Sequence, residues 1–185
     1  MSPRRRELLL LVGADFQTES PSAEEQQYSH TDPEELVSLL SYNKAMSVVN
    51  RGVVLPVVAA DTIVAIDGKI LGKPADEADA FTTLKMLSGR SHRVYTGVTV
   101  YNLGKVKTEV EKTEVKFRNL NTAEINAYIA TGEPNDKAGS YGIQGKGALF
   151  VERINGDYYN VVGLPLVRLL RMMRELRVVP SEGIF

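Results

Sequence analysis

Asp61 is the residue most out of place in this chain. It stands in "LPVVAADTIVAI", a run otherwise apolar apart from the neighbouring threonine. Burying an ionised carboxylate without a partner costs several kcal/mol, so the fold must supply a cation, a metal or water. A loop-starting aspartate that bonds backbone amides is one reading; continuation of the strand on both sides favours a general base or metal ligand. Lys44 falls in the series Leu36, Leu40, Lys44, Val48, each one helical turn from the next. It either snorkels past the edge of the core or reaches into a pocket. Lys73, in "LGKP", precedes a proline that sets the direction of the chain and on its own reads as an ordinary turn lysine. In "GSYGIQGKG" the glycines let backbone amides approach a ligand, but the spacing to Lys146 is not that of a P-loop, and Gly147 stands where a hydroxyl residue would meet magnesium. Gln144, in the middle of it, carries a donor and an acceptor suited to a base edge or ribose.

A second cluster opens the chain. "SPRRRELLLL" has a capping serine, a proline at the first helical position and Gly13 beyond the last apolar residues, which predicts a helix over residues 3–12. The first turn of a helix favours acids, yet this one holds Arg4, Arg5 and Arg6. A phosphate or carboxylate docked there would join backbone donors and guanidinium forks; the alternative is a solvated basic turn. Together, Arg4, Arg5, Lys44 and Lys73 with the acids Glu25 and Asp61 match the needs of a polyphosphate site. Cations neutralise phosphates, and carboxylates hold magnesium or manganese and activate water.

The composition narrows the chemistry. A net charge of -1 argues against a general nucleic-acid binder, so any phosphate chemistry is local. The absence of cysteine removes disulfides, thiolate catalysis and cysteine zinc sites, and two histidines, His30 and His92, are too few for a histidine metal site. No apolar run reaches spanning length and no signal-type apolar region opens the chain, so a soluble cytoplasmic protein is expected. At 185 residues a single domain, with room for a small lobe, can bury a real core.

The elements that must position these residues follow from periodicity and punctuation. A short strand is expected at Phe16–Thr18, then a loop. A long helix runs through "TDPEELVSLLSYNKAMSVVNRG", capped before Pro33 and ended near Gly52. A buried strand over Val53–Ala60 is expected next, then a hairpin whose Asp67-Gly68 turn joins Thr62–Ile66 to Lys69–Leu71. "DEADAFTTLKMLSG" reads as a helix, the stretches around Asn102–Lys105 as two strands with the second half-exposed, and "NTAEINAYIATG" as a helix with a capping box at Asn121 and Glu124. "EPNDKAGSYGIQGKG" is a loop, "ALFVERINGDYYNVVG" a hairpin on Asn155-Gly156, and "LPLVRLLRMMREL" the closing helix. Helices interspersed with strand pairs make an α/β domain with a mixed sheet.

"SPRRRELL", "ADTIVAIDGKILGKP", "LSGRSHRVYTGV" and "TGEPNDKAGSYGIQGKGALFVERINGDYYNVVGLPL", in that order along nearly the whole chain, resemble the Maf family of nucleoside triphosphate pyrophosphatases. The ending is closest to the branch acting on dTTP and UTP rather than the branch associated with 7-methyl-GTP. The resemblance implies one domain over residues 1–185, an elongated fold of the ITP pyrophosphatase type with a curved mixed sheet and two lobes around a central cleft, commonly a homodimer. It implies cleavage between the α and β phosphates to the nucleoside monophosphate and pyrophosphate, dependent on a divalent cation, Mg2+ or Mn2+. By motif, Asp61 activates water and holds the metal with Glu25; Ser2, Arg4, Arg5, Lys44 and Lys73 bind phosphates; Arg4, Thr62 and Gln144 set substrate preference. Modified pyrimidine nucleotides fall within the same expectation.

Family members usually begin with an apolar strand and a run of small residues and serines before "SPRR", whereas this chain starts at Met1-Ser2. The first strand therefore reads as truncated, with reduced activity or stability expected in this form. A different class of function, a non-catalytic nucleotide-binding regulator of cell division and septum formation, competes with the enzyme; retention of Asp61, Glu25, Lys44 and Lys73 favours catalysis. Contact of "SPRRR" with nucleic acid is disfavoured by the overall charge, and neither nucleic acid nor membrane is expected as a partner.

Overall fold

The computed structural model describes residues 2–22 and 32–179. Helix α1 spans Pro3–Leu11, with the Ser2 hydroxyl accepting from the Arg5 amide at 3.5 Å, and Gly13 turns the chain out of it with φ of 74°. The predicted strand at Phe16–Thr18 is absent. Phe16 is flanked by polar residues that bury nothing, and a strand needs a neighbour to complete its hydrogen bonds. Helix α2, Pro33–Val49, is capped by Asp32, whose carboxylate accepts from Glu34 and Glu35 amides at 2.8 and 3.3 Å.

Strand β1 spans Val57–Ile66 and pairs antiparallel with β2, Lys69–Leu71, across the Asp67-Gly68 turn. Asp67 and Gly68 have φ of 51° and 75°, the left-handed pair that a tight hairpin requires. The expected buried strand from Val53 instead begins at Val57. Val54 is 90% exposed and Leu55 56%, and Pro56, lacking an amide, stands just outside the ladder. Asp61 therefore lies in the middle of one continuous strand.

Helix α3, Glu77–Leu87, leads to the long strands β3, Ser91–Asn102, and β4, Lys105–Phe117. Helix α4, Thr122–Ile129, has the predicted capping box between Asn121 and Glu124. A stretch of 3-10 turns brings the chain to β5, Val151–Asn155, which pairs antiparallel with β4 in the register Glu114 to Asn155. The strand order is β2-β1-β3-β4-β5. The hairpin expected on Asn155-Gly156 does not form: β5 takes β4 as its partner, and the chain past Gly156 enters helix α5, Tyr158–Val162. Gly156 serves close approach rather than a turn, since a Cβ there would meet Thr113 Oγ1 at 2.9 Å. Helix α6, Leu166–Glu175, closes the described fold.

Two compact units result. The first comprises the chain up to Asp61, Thr96–Glu111 and the chain from Gly163 onward; the second comprises Thr62–Tyr95 and Lys112–Val162. In the first, α2 lies so close to β3 that a Cβ on Gly97 would sit 2.5 Å from the Val37 carbonyl carbon. Ser41, Thr99 and Thr108 form a hydroxyl chain there at 3.0 and 2.9 Å, and Ala45, Val48 and Val57 pack together. Arg168 of α6 donates to Glu111 and Glu109 at 2.7 and 2.6 Å, tying the helix to β4. The second unit is centred on His92, Phe117 and Tyr141, whose rings meet edge to face at centroid separations of 4.7 to 5.4 Å. Among the described residues no helix is long and apolar enough to cross a membrane.

Candidate active site

Asp61 has the cation that its position in β1 demands. Its Oδ1 accepts from Lys44 Nζ, and the two side chains are 16% and 20% exposed. Lys44 thus reaches a carboxylate rather than extending into solvent. The helical spacing aims it: Leu36 and Val48, two turns and one turn away on the same face, are buried, so the face carrying Lys44 points inward. The pair is charge-assisted and largely removed from water, the setting in which one partner without the other is costly.

Arg5 joins this pair in the first unit. Its Nε donates to the Gly163 carbonyl at 2.7 Å and its Nη1 to the carbonyl of Ala60, the residue immediately before Asp61, at 2.8 Å. Desolvation pulls the Arg5 guanidinium below its ordinary value, the negative charge of Asp61 opposes this, and the positive charge of Arg4 adds to it. A half-buried arginine fixed by two backbone carbonyls is pre-oriented, with its remaining donors directed by the fork. Arg4 is also half-buried, and the Ser2 hydroxyl oxygen caps the helix by accepting from the Arg5 amide. The reversed electrostatics at the start of α1 therefore have a local counterweight in Asp61.

The other predicted residues belong to the second unit. Thr62 is half-buried in β1, while Lys73 and Gln144 are exposed. Lys73 and the glycine-rich segment are tied at one point: the Gly139 amide donates to the Gly72 carbonyl at 3.0 Å, and Gly139, at φ of 70°, packs against Val64 so closely that a Cβ would meet it at 2.9 Å. Glu25 lies outside the described residues. Among the described residues no group of three or more His, Cys, Asp or Glu side chains is placed to hold a metal ion. Of the predicted metal pair, Asp61 lies among the described residues, and its carboxylate suits a hard cation, which takes one or two protein carboxylates and completes its shell with water and phosphate oxygens.

Sequence reasoning missed Glu133 and Tyr128. The Glu133 carboxylate accepts from Tyr128 OH at 2.8 Å, from the Lys146 amide at 2.9 Å and from the Gly147 amide at 3.3 Å. Tyr128 OH in turn accepts from the Gly142 amide at 3.0 Å. The glycine spacing at 142, 145 and 147 was the available signal that something approaches this backbone closely.

The family model for Maf-like proteins matches residues 1–176. The chain belongs to the Maf family. It is 48% identical over 179 residues to a protein of Bacillus pumilus (strain SAFR-032) named dTTP/UTP pyrophosphatase, covering 97% of this chain and 95% of that one. A protein of Bacillus cytotoxicus with the same name is 49% identical over 174 residues, covering 94% of this chain and 91% of its own length. One from Bacillus thuringiensis subsp. konkukian is 48% identical over 177 residues, with 96% and 93% covered. For a Maf member, a carboxylate paired with a lysine and flanked by a fixed arginine is the kind of cluster that phosphate chemistry uses.

Proposed function

We propose that this Maf protein hydrolyses nucleoside triphosphates, dTTP and UTP foremost and modified pyrimidine nucleotides within reach, to the monophosphate and pyrophosphate. The observation that carries the reading is the Asp61 carboxylate held mid-strand by Lys44, with Arg5 anchored to the carbonyl next to it. The close likeness to proteins named dTTP/UTP pyrophosphatase supports the substrate class.

In this scheme Asp61 accepts a proton from the water that attacks the α-phosphorus. The new P–O bond forms as the bond to the bridging oxygen breaks, and that oxygen leaves with pyrophosphate. Lys44, Arg4, Arg5 and Lys73 neutralise the phosphates, with Ser2 at the helix start contributing a further contact. Lys44 has two tasks: it holds Asp61 before substrate arrives and turns to phosphate oxygens afterwards. A bound divalent cation, Mg2+ or Mn2+, would be held by Asp61 with Glu25 and supplies neutralisation of phosphate charge. Positioning and charge neutralisation account for most of the catalysis in phosphoryl transfer, so losing the base or a central cation each costs about 10² or more in rate.

Arg4, Thr62 and Gln144 set the choice of nucleotide. Thymine and uracil present the same edge and differ by one methyl, which a pocket discriminates poorly, whereas cytosine mismatches a site built for that edge. The same reading includes a homodimer acting in the cytoplasm. Hydrolysis in 18O-labelled water tests the scheme: label in the nucleoside monophosphate supports attack at the α-phosphorus, and label in pyrophosphate or free phosphate refutes it.

A further inference from the structure

We infer that Glu133 is a positioning residue for nucleotide selection, holding the segment 142–147 so that Gln144 faces the base; this rests on the role proposed for Gln144. Glu133 opens a 3-10 turn, Glu133–Asp136, directly after Gly132 at φ of 72°. From there its carboxylate reaches across to the amides on the far side of Gln144, Lys146 at 2.9 Å and Gly147 at 3.3 Å. On the near side the grip is relayed. Tyr128, at the end of α4, donates to Glu133 Oε1 at 2.8 Å and accepts from the Gly142 amide at 3.0 Å. Gln144 is therefore bracketed by amides that lead to one carboxylate.

The glycines show that this approach is built in. A Cβ on Gly145 would lie 2.5 Å from Glu133 Cδ, one on Gly142 would lie 2.7 Å from Lys137 Cε and 3.1 Å from Glu133 Oε1, and one on Gly147 would lie 2.9 Å from Tyr128 OH. None of these three has the left-handed backbone that would by itself call for glycine. Gly145 leaves room for the Glu133 carboxylate, Gly142 for the Lys137 stem and Glu133, and Gly147 for the Tyr128 hydroxyl and the Gly142 carbonyl. Lys137 completes the arrangement by donating to the Glu133 carbonyl at 2.5 Å and to Asp136 at 2.6 Å, which fixes the turn from which Glu133 projects. Tyr128 is buried against Phe150, at 4.8 Å between ring centroids, so its hydroxyl is set by core packing. A loop restrained at both ends of an exposed glutamine fixes the backbone from which that side chain projects, and misplacement of a reading group by about 1 Å costs on the order of 10²-fold.

The test measures kcat/KM for dTTP and dCTP in Glu133→Ala, Glu133→Gln, Tyr128→Phe, Gln144→Ala and the Glu133→Ala/Gln144→Ala double variant, with amide exchange at Gly142, Lys146 and Gly147. The expected result is a dTTP to dCTP ratio reduced about tenfold or more in Glu133→Ala and partly restored in Glu133→Gln, with faster exchange at Lys146 and Gly147. Tyr128→Phe, which keeps the ring in the core, shows the same direction and faster exchange at Gly142. In the double variant the ratio equals that of Gln144→Ala alone, because Glu133 acts through Gln144. Equal losses for both nucleotides, or a further fall of the ratio when Glu133→Ala is added to Gln144→Ala, overturn the inference. A ratio unchanged in Gln144→Ala removes the base-reading role and this inference together, whereas a ratio changed in Gln144→Ala but not in Glu133→Ala removes only the inference.

Discussion

Replacing Lys44 with methionine isolates the energetics of the candidate site. The substitution keeps an unbranched apolar stem and deletes the ammonium that donates to Asp61 Oδ1. Exposed ion pairs contribute about 0–1 kcal/mol, and breaking a fully buried pair costs about 3–5 kcal/mol. Side chains that are 16% and 20% exposed fall near the buried limit but retain some water, so a loss of about 2–3 kcal/mol is expected. That corresponds to a lower urea midpoint by about 1 M and a melting temperature lower by about 5–10 °C for a chain of this size. Adding Asp61→Asn to Lys44→Met removes the stranded charge and returns part of the stability, giving a coupling of about 1–3 kcal/mol. Activity is not expected to return, since the proposed scheme uses both groups. Urea unfolding of the four proteins of this cycle at pH 7 reads the result. A Lys44→Met variant within about 0.5 kcal/mol of wild type, with an additive double variant, would refute the reasoning that β1 holds a carboxylate dependent on its lysine.

Arg5→Lys keeps a charge but loses the fork that bonds both Gly163 and Ala60 carbonyls, so turnover on dTTP is expected to fall about 10²-fold with a much smaller change in melting temperature; equal turnover contradicts the role. Gly97→Ala forces a Cβ into the Val37 carbonyl and close to Ser41 Oγ, and a loss of at least about 3 kcal/mol, read by urea unfolding, is expected. His92, buried with Nε2 bonded to Tyr141 OH at 2.8 Å and Nδ1 without a hydrogen-bond partner among the described residues, has its pKa lowered by desolvation to about 4. The unfolded chain takes up this proton near 6.5 and the folded chain only near 4, so the contribution of His92 removes about 3 kcal/mol of stability as pH falls between those values and nothing further below them. His92→Gln, compared with wild type at pH 7 and pH 4.5, should flatten this part of the pH dependence; parallel curves would contradict the assignment.

What the sequence made legible was mostly what is decided within a few residues. Ser2, Asp32 and the Asn121–Glu124 box each start a helix because a side chain reaches its own backbone within three residues. Phe16–Thr18, Val53–Pro56 and Asn155-Gly156 were misread because a strand exists only where another strand pairs with it, and nothing local supplies that partner. Asp61 stood out because a carboxylate in an apolar strand is anomalous whatever surrounds it. Its pairing with Lys44, 17 residues away and on a different element, comes from the packing of α2. Glu133 escapes notice because a glutamate before a proline looks like surface; the amides its carboxylate binds lie thirteen and fourteen residues further along the chain.

The most direct test of the proposed chemistry is product analysis with magnesium across a panel of nucleoside triphosphates, comparing wild type with Asp61→Asn. The account predicts pyrophosphate and the monophosphate from dTTP and UTP, weaker turnover of cytosine nucleotides, and a loss of about 10² or more in the variant. Stepwise release of inorganic phosphate, or an Asp61→Asn protein that keeps its turnover, would contradict it.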